Sequence, residues 1–365
     1  MVQEHPGTVI VLGAGASKAD DAPLQGELFP EFFRSAELKN RAHQSIQETL
    51  ARYFFAVWGI QVMGSGEQEG PFPTFEEALG LLDLGYARAE FFKGLSAPDE
   101  EGAQQYRIRD DLVSLIALVL REKLRGGPEH HMTLVGRLQE SGALASITFA
   151  SLNYDILIDN AIEAETGALP SYGVDFCANP QWRVVEQAFG KACLYKMHGS
   201  LNWLYCPTCG AISLFPRQKV AADLPGEPWR FRCPDCHENL VRLVIPPTFF
   251  KMMSNYHLQG VWRKAEGALR ECDQIIFCGY SFPDADMHFK YLLKRAEVNR
   301  PDGRSLEIYV VNRPPDRTEG DHSNCDERIR YERFFRRKDL VHWTKLSFEQ
   351  FAEEPGLIED PNQWL

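Results

Sequence analysis

Four cysteines stand in two close pairs, Cys206-Pro207-Thr208-Cys209 and Cys233-Pro234-Asp235-Cys236, with 23 residues between them. Each pair can wrap two thiolates around one ion, and two such turns complete a tetrahedral shell. Four sulfurs leave no position for water, so the spacing predicts a structural rather than catalytic Zn²⁺. Gly210 suits the tight turn after the first pair, and His237 is not needed as a fifth ligand. Cys193 and Cys278 sit in apolar patterns and are expected to pack in the core.

Other chemistry-bearing residues follow apolar runs. Gly13-Ala14-Gly15-Ala16-Ser17 can turn backbone amides toward a pyrophosphate, glycine permitting close approach; it can equally just join a strand to a helix. Asn153-Tyr154-Asp155 offers an amide and a carboxylate, although Asp155 could simply cap the next helix. His198-Gly199-Ser200 places an imidazole where it could act as a base near neutral pH; a lone histidine is more often structural. Gly279-Tyr280-Ser281-Phe282-Pro283-Asp284 and Asn312-Arg313 are small polar turns after two later runs.

The elements that must position these groups can be read from periodicity. Thr8 to Leu12 is an apolar, β-branched run, as in a strand buried on both faces. Further strands are expected at 146–150, 193–197, 243–245, 274–278 and 306–311, alternating with helical patterns such as 154–165 and 285–296. That alternation predicts an α/β, Rossmann-like, doubly wound parallel sheet. Residues 31–140 read as a helical insertion, with helical spacing at 31–59 and 110–124 and loops at 64–73 and 98–102. Residues 203–241, with the cysteines and several prolines, read as a small zinc module. The remaining stretches, 1–30, 141–202 and 242–365, would form the sheet domain. Among the insertion's aromatics, Phe54, Phe55, Trp58, Phe91 and Phe92 are expected to pack in its core. The segment Arg328 to Lys338 reads as an amphipathic helix.

Composition sets bounds. The chain has 365 residues, 44% hydrophobic and 25% charged, and a net charge of −12, so it can build a core. The acidic balance argues against a dedicated nucleic-acid or anionic-membrane binder, since phosphates demand a basic face. Arg217, Lys219, Arg230, Arg232 and Arg242 near the cysteines are scattered, as on a solvated face. No signal peptide or membrane span is visible, and cytosolic cysteine pairs usually hold metal; a cytoplasmic protein is expected.

In order along the chain, the glycine loop, the Asn-x-Asp turn, the His-Gly turn, the four-cysteine module, the Gly-x-Ser turn and a late strand ending in Asn resemble the sirtuin superfamily, the NAD-dependent deacylases and their NAD-cleaving relatives. The resemblance covers most of the chain outside the insertion. It implies that Gly13, Ala14, Gly15 and Ser17 line the NAD⁺ phosphates, and that Asn153 and Asp155 border the nicotinamide and its ribose. It also implies that His198 is the base, that Gly279 and Ser281 meet the phosphates and adenosine side, and that Asn312 touches the adenosine ribose. Zinc would brace the module without entering the chemistry.

Departures point to one branch. The Phe-Arg pair that follows the deacylase glycine loop, and whose aromatic ring shields the reactive ribose, falls on Gln25-Gly26. The deacylase Gln before the Asn is Leu152. The strand that pairs with an acyl-lysine peptide is replaced by Val244-Ile245-Pro246-Pro247-Thr248, whose prolines lack N–H donors. Three stretches, 151–155, 196–203 and 279–282, resemble the sirtuin-like NAD hydrolases of bacterial antiphage defence. That resemblance implies NAD⁺ glycohydrolysis to nicotinamide and ADP-ribose. It also implies a homo-oligomer or an associated defence protein such as an ATPase or Argonaute, and no direct contact with nucleic acid. A protein-lysine deacylase and a non-enzymatic NAD or ADP-ribose sensor are the alternatives.

Overall fold

The computed structural model describes residues 7–39, 41–62, 70–90, 92–95, 103–177, 189–248, 255–301, 305–312, 323–344 and 346–356. Phe91, Arg313, most of the 64–73 loop and all of the 98–102 loop lie outside them. In chain order the strands are β1 (Thr8–Leu12), β2 (Ile147–Ser151), β3 (Leu169–Ser171), β4 (Phe189–Lys196), β5 (Gly199–Tyr205), β6 (Ile212–Leu214), β7 (Val241–Val244), β8 (Gln274–Cys278), β9 (Glu307–Val311) and β10 (Val341–Trp343). The helices are α1 (Ala14–Lys18), α2 (Leu28–Arg34), α3 (Arg41–Trp58), α4 (Phe75–Arg88), α5 (Ala103–Lys123), α6 (Glu129–Glu140), α7 (Leu157–Thr166), α8 (Tyr256–Glu271), α9 (Met287–Val298), α10 (Ser323–Phe334) and α11 (Phe348–Glu353).

Seven strands form one parallel sheet in the order β10-β9-β8-β1-β2-β4-β3. All five residues of β1 are buried, as a central strand covered on both faces requires. The chain winds from β1 to β2 on one side, then returns to place β8 on the other. Such a reversal opens a crevice at the carboxyl ends of the strands, the usual ligand position in open α/β sheets.

The strand expected at 243–245 belongs elsewhere. β7 pairs antiparallel with β5, and β6 lies on the other side of β5, in a three-stranded sheet that holds the cysteine segment. The expected loop at Gly13–Ser17 is also corrected: helix begins at Ala14, directly after Gly13. A second apolar core lies among α2 to α5, where Phe29 and Phe75 stack at 4.7 Å and Tyr53 and Phe54 are fully buried. Leu157, Leu201, Ala221 and Ala222 join that core, so the insertion packs against the start of α7 and against the cysteine segment. Of the aromatics expected there, Phe54 is buried, Trp58 and Phe92 are partly buried, and Phe55 is exposed.

Candidate active site

A cleft of about 700 Å³ opens at the ends of β1, β2, β8 and β9. Its walls include Gly13, Ala14, Gly15, Ser17, Asn153, Asp155, His198, Gly279, Ser281 and Asn312, so every non-metal site residue expected from the sequence meets here. The insertion closes the other side with Glu76 of α4 and Ile116 and Leu120 of α5, together with the 22–28 segment.

The glycines are needed for loop-on-loop packing. Gly13 N–H donates to the Cys278 carbonyl, Gly15 N–H to the Gly279 carbonyl, and Gly279 N–H to the Val311 carbonyl. Gly279 has φ +63°, and a Cβ there would stand 2.0 Å from the Ala16 nitrogen. A Cβ on Gly13 would stand 2.6 Å from the Gly279 carbonyl oxygen. The absent side chains thus make room for the β8 turn, while Ala14 between them is exposed.

Behind this loop lies a directional relay. Asn153 Nδ2 donates to the Gly13 carbonyl at 2.8 Å and to Ser17 Oγ at 2.7 Å. A carbonyl only accepts, so the nitrogen of the amide must face it and Oδ1 is turned away as an acceptor. Ser17 Oγ spends its hydrogen on Asp155 Oδ2 at 2.7 Å. Asp155 Oδ1 accepts from the Leu157 N–H at 3.1 Å, heading α7. Asp155 therefore caps, and it also reaches Asn153, through Ser17 rather than directly. Ser17 is 2% exposed and its hydroxyl hydrogen is committed to Asp155, so its side chain holds the carboxylate and the amide together.

His198 sits in the two-residue connection between β4 and β5. Its Nδ1 lies 3.0 Å from the Leu152 carbonyl oxygen, so Nδ1 carries the hydrogen and Nε2 is the basic nitrogen of the neutral ring. Gly199 makes this turn possible: at φ +80°, a Cβ would stand 1.9 Å from the Leu243 carbonyl oxygen. Tyr154 and Trp262 flank the imidazole, with ring centroids at 6.2 and 6.3 Å. Burial, then the charges of Asp286 and Glu76, push the Tyr154 hydroxyl up; it stays protonated and donates to the Ile245 carbonyl at 2.8 Å. At the far end, Asn312 Nδ2 donates to the Tyr280 carbonyl at 3.2 Å and to Glu327 Oε1. Asn312 Oδ1 is buried and has no hydrogen-bond partner among the described residues. Arg330 donates to the Ser281 carbonyl, which fixes the β8 turn from α10.

Sequence reasoning missed two contributors. Lys196, 0% exposed at the end of β4, donates to the Asp155 carbonyl and lies 3.3 Å from Asp159 Oδ2, whose other oxygen takes the Tyr172 hydroxyl at 2.7 Å. The only signal was a lysine at the end of the apolar run that starts at Cys193. Glu76 lies on a surface-patterned helix and carries no sequence signal of its own.

Away from the cleft, the four cysteine sulfurs of 206, 209, 233 and 236 all lie within 4.8 Å of one another, with Cys206–Cys236 at 3.4 Å and Cys209–Cys233 at 3.5 Å. A tetrahedron with Zn–S near 2.3 Å needs sulfurs about 3.8 Å apart, so the four fit one zinc ion. Burial acts to raise the Cys206 thiol, but the backbone N–H groups of Cys209 and Thr208 draw it down to about 7. Gly210 N–H closes the first turn onto the Cys206 carbonyl at φ +81°; His237 repeats this onto Cys233 at φ +62°, so its part is a backbone turn. Cys177 also packs against this module, with its thiol 3.7 Å from Asp235. Cys278 is buried as expected, whereas Cys193 is only half-buried. The basic residues nearby are each engaged within the chain, Arg217 with Glu163, Lys219 with the Leu124 carbonyl, Arg230 with Glu227, Arg232 with the His237 carbonyl and Arg242 with Asp110.

A family model described as SIR2-like domain matches residues 147–333, just over half of the chain and spanning Asn153, Asp155, His198, the four cysteines, Gly279, Ser281 and Asn312. The chain belongs to the SIR2-like family. Among solved structures, it is similar to Sir2Tm bound to a propionylated peptide (13% identity, TM-score 0.44, covering 98% of this chain and 94% of that one). It is also similar to a Sir2 bound to an acetylated peptide (14%, 0.44, 98% and 94%) and to a Sir2–p53 peptide–NAD⁺ complex (14%, 0.41, 99% and 95%). No curated protein matches the chain. The glycine loop, the insertion and the strand β10 of this SIR2-like chain lie outside the family match. No helix among its described residues is long and apolar enough to cross a membrane.

Proposed function

We propose that this SIR2-like protein is an NAD⁺ glycohydrolase that cleaves the nicotinamide–ribose bond, releasing nicotinamide and ADP-ribose. The observation that carries the reading is the convergence of Asn153, Asp155, His198 and the glycine turns on one cleft. The cleft fits a dinucleotide. About 700 Å³ is within the usual range of small-molecule sites. The unpartnered buried Asn312 Oδ1 is an acceptor suited to a ribose hydroxyl. Hydrolysis rather than deacylation is supported at two points. Gln25, not an aromatic shield, lines the cleft, and Pro247, which has no N–H, lines it after β7.

Nicotinamide leaves a cationic pyridinium as a neutral molecule, so its departure needs no general acid. In this reading Asn153 holds a water or ribose hydroxyl through Oδ1, the Asp155–Ser17 pair keeps that amide oriented, and His198 Nε2 accepts a proton. Asn312, Gly279 and Ser281 anchor the adenosine side. Zinc would be held by Cys206, Cys209, Cys233 and Cys236 and would brace the small sheet. We also propose the division into a sheet domain (1–30, 141–202, 242–365), a helical insertion (31–140) and a zinc module (203–241). A cytoplasmic antiphage effector that depletes NAD⁺, acting as an oligomer or with a defence partner, is the setting that the three matching stretches support.

The test is nicotinamide release by wild type, Asn153→Ala and His198→Ala. A positioned base contributes about 10²–10⁴ in rate, so a folded His198→Ala should lose that much. Near-normal turnover in either folded variant would refute the assignment.

A further inference from the structure

The insertion brings a carboxylate into the cleft. Glu76 is the second residue of α4 and lines the cleft from the side facing the sheet ends. Its setting is rigid. Phe75 before it is buried at 1% exposure and stacks on Phe29; Glu77 after it closes a capping box with Thr74. Further along α4, Asp83 accepts from Thr248 Oγ1 at 2.8 Å and from Arg109 at 2.8 Å, which ties the helix to the segment after β7 and to α5. Glu76 Oε2 accepts from Gln25 Nε2; by the resemblance drawn from the sequence, Gln25 falls where deacylases carry the aromatic residue that shields the ribose. Its charge is felt at Tyr154, the ring beside His198.

Three of the four other carboxylates that line the cleft are placed for other work; the fourth, Glu349, stands in the first turn of α11. Asp155 has both oxygens engaged in the relay. Asp286 is 7% exposed and takes the Tyr280 hydroxyl at 2.9 Å. Glu327 is bonded to Asn312 at the end of β9.

Building on the glycohydrolase reading, we propose that Glu76 is a further catalytic residue, the carboxylate that faces the nicotinamide ribose and stabilises the positive charge developing there. The C1′–N1 bond breaks, its electron pair goes to the pyridinium nitrogen, and nicotinamide leaves neutral. The positive charge passes to C1′ and the ring oxygen, opposite the Glu76 carboxylate. Water adds to C1′, and its proton goes to His198 and then to solvent. An oxocarbenium-like state of this kind is what carboxylates stabilise in glycoside cleavage. The insertion thereby replaces an apolar shield with a charge, which favours hydrolysis in place of transfer to an acyl oxygen.

The experiment compares wild type with Glu76→Gln and Glu76→Asp, measuring nicotinamide release and, by calorimetry, the binding of NAD⁺ and NADH. Glu76→Gln keeps the size of the side chain and can still bond Gln25. The expected result is a fall in kcat of about 10²–10³-fold, the range lost with one electrostatic group in other active sites. Glu76→Asp should recover part of it. NAD⁺ carries a cationic ring and NADH a neutral one, so Glu76→Gln should also reduce the preference for NAD⁺ over NADH by about tenfold, the effect of one charge near 5 Å at intermediate dielectric. Unchanged kcat together with an unchanged NAD⁺/NADH ratio would overturn the proposal, as would equal weakening of both ligands. Absence of nicotinamide release by wild type would instead overturn the glycohydrolase reading itself, and the proposal with it.

Discussion

Ser17 is the residue on which the relay turns, and replacing it with alanine isolates that role. Ser17→Ala removes one hydrogen bond to a buried carboxylate, at 2.7 Å, and one from an amide, also at 2.7 Å. Bonds to charged groups contribute about 1.5–3 kcal/mol and neutral ones about 1, so the variant should lose about 2–4 kcal/mol on urea unfolding. Among the described residues, the Asp155 carboxylate keeps the Leu157 N–H as its hydrogen-bond donor, and the Asn153 amide nitrogen keeps the Gly13 carbonyl. With one anchor the amide can swing, and a displacement of about 1 Å costs on the order of 10²-fold in rate. Nicotinamide release should therefore fall about that far at saturating NAD⁺, with smaller change in KM. A double-mutant cycle with Asp155→Asn should give coupling above about 1 kcal/mol, because the two residues share one network. Additive effects, or Ser17→Ala with wild-type stability and turnover, would refute the relay.

Three further outcomes are expected. Lys196→Met leaves the Asp159 carboxylate buried without its cation and should cost about 3–5 kcal/mol; adding Asp159→Leu should recover part of it, and an inert single variant would contradict the buried pair. Asp111 is 8% exposed with Oδ2 unpartnered, and burial lifts its carboxyl from 3.8 to about 6. A raised carboxyl costs stability as pH climbs through that window, so Asp111→Asn should stabilise at pH 7, by about 3 kcal/mol at most, with no gain at pH 3.5. Strong chelation should release one zinc per chain, seen with a metal-binding dye, and Cys209→Ser should abolish that release and loosen the small sheet.

Five of the seven strands of the main sheet were legible because they are short apolar runs whose polar turns fall at their carboxyl ends; the three-residue edge strands β3 and β10 were not. β1, β8 and β9 could be read from residue type alone, and the cleft assembled the expected turns because the doubly wound topology gathers strand ends. The small sheet was not legible. β5, Gly199–Tyr205, is nearly buried throughout and shows no alternation, and its partners β6 and β7 lie at different distances along the chain. The glycines of the first loop also serve packing that the sequence did not show: the space their side chains would fill belongs to Gly279 and Tyr280, a contact between residues more than 260 positions apart. Lys196 and Glu76 were invisible for one shared reason: a single charged residue in a strand or on a helix has no pattern, and only tertiary placement shows what it faces.

The central claim is that this SIR2-like cleft hydrolyses NAD⁺ without an acyl-lysine substrate. Mass spectrometry of products from purified protein and NAD⁺, with and without an acetyl-lysine peptide and beside His198→Ala, tests it directly. Nicotinamide and ADP-ribose in equal amounts, independent of peptide and lost in the variant, are the expected result; peptide-dependent formation of O-acetyl-ADP-ribose would contradict it.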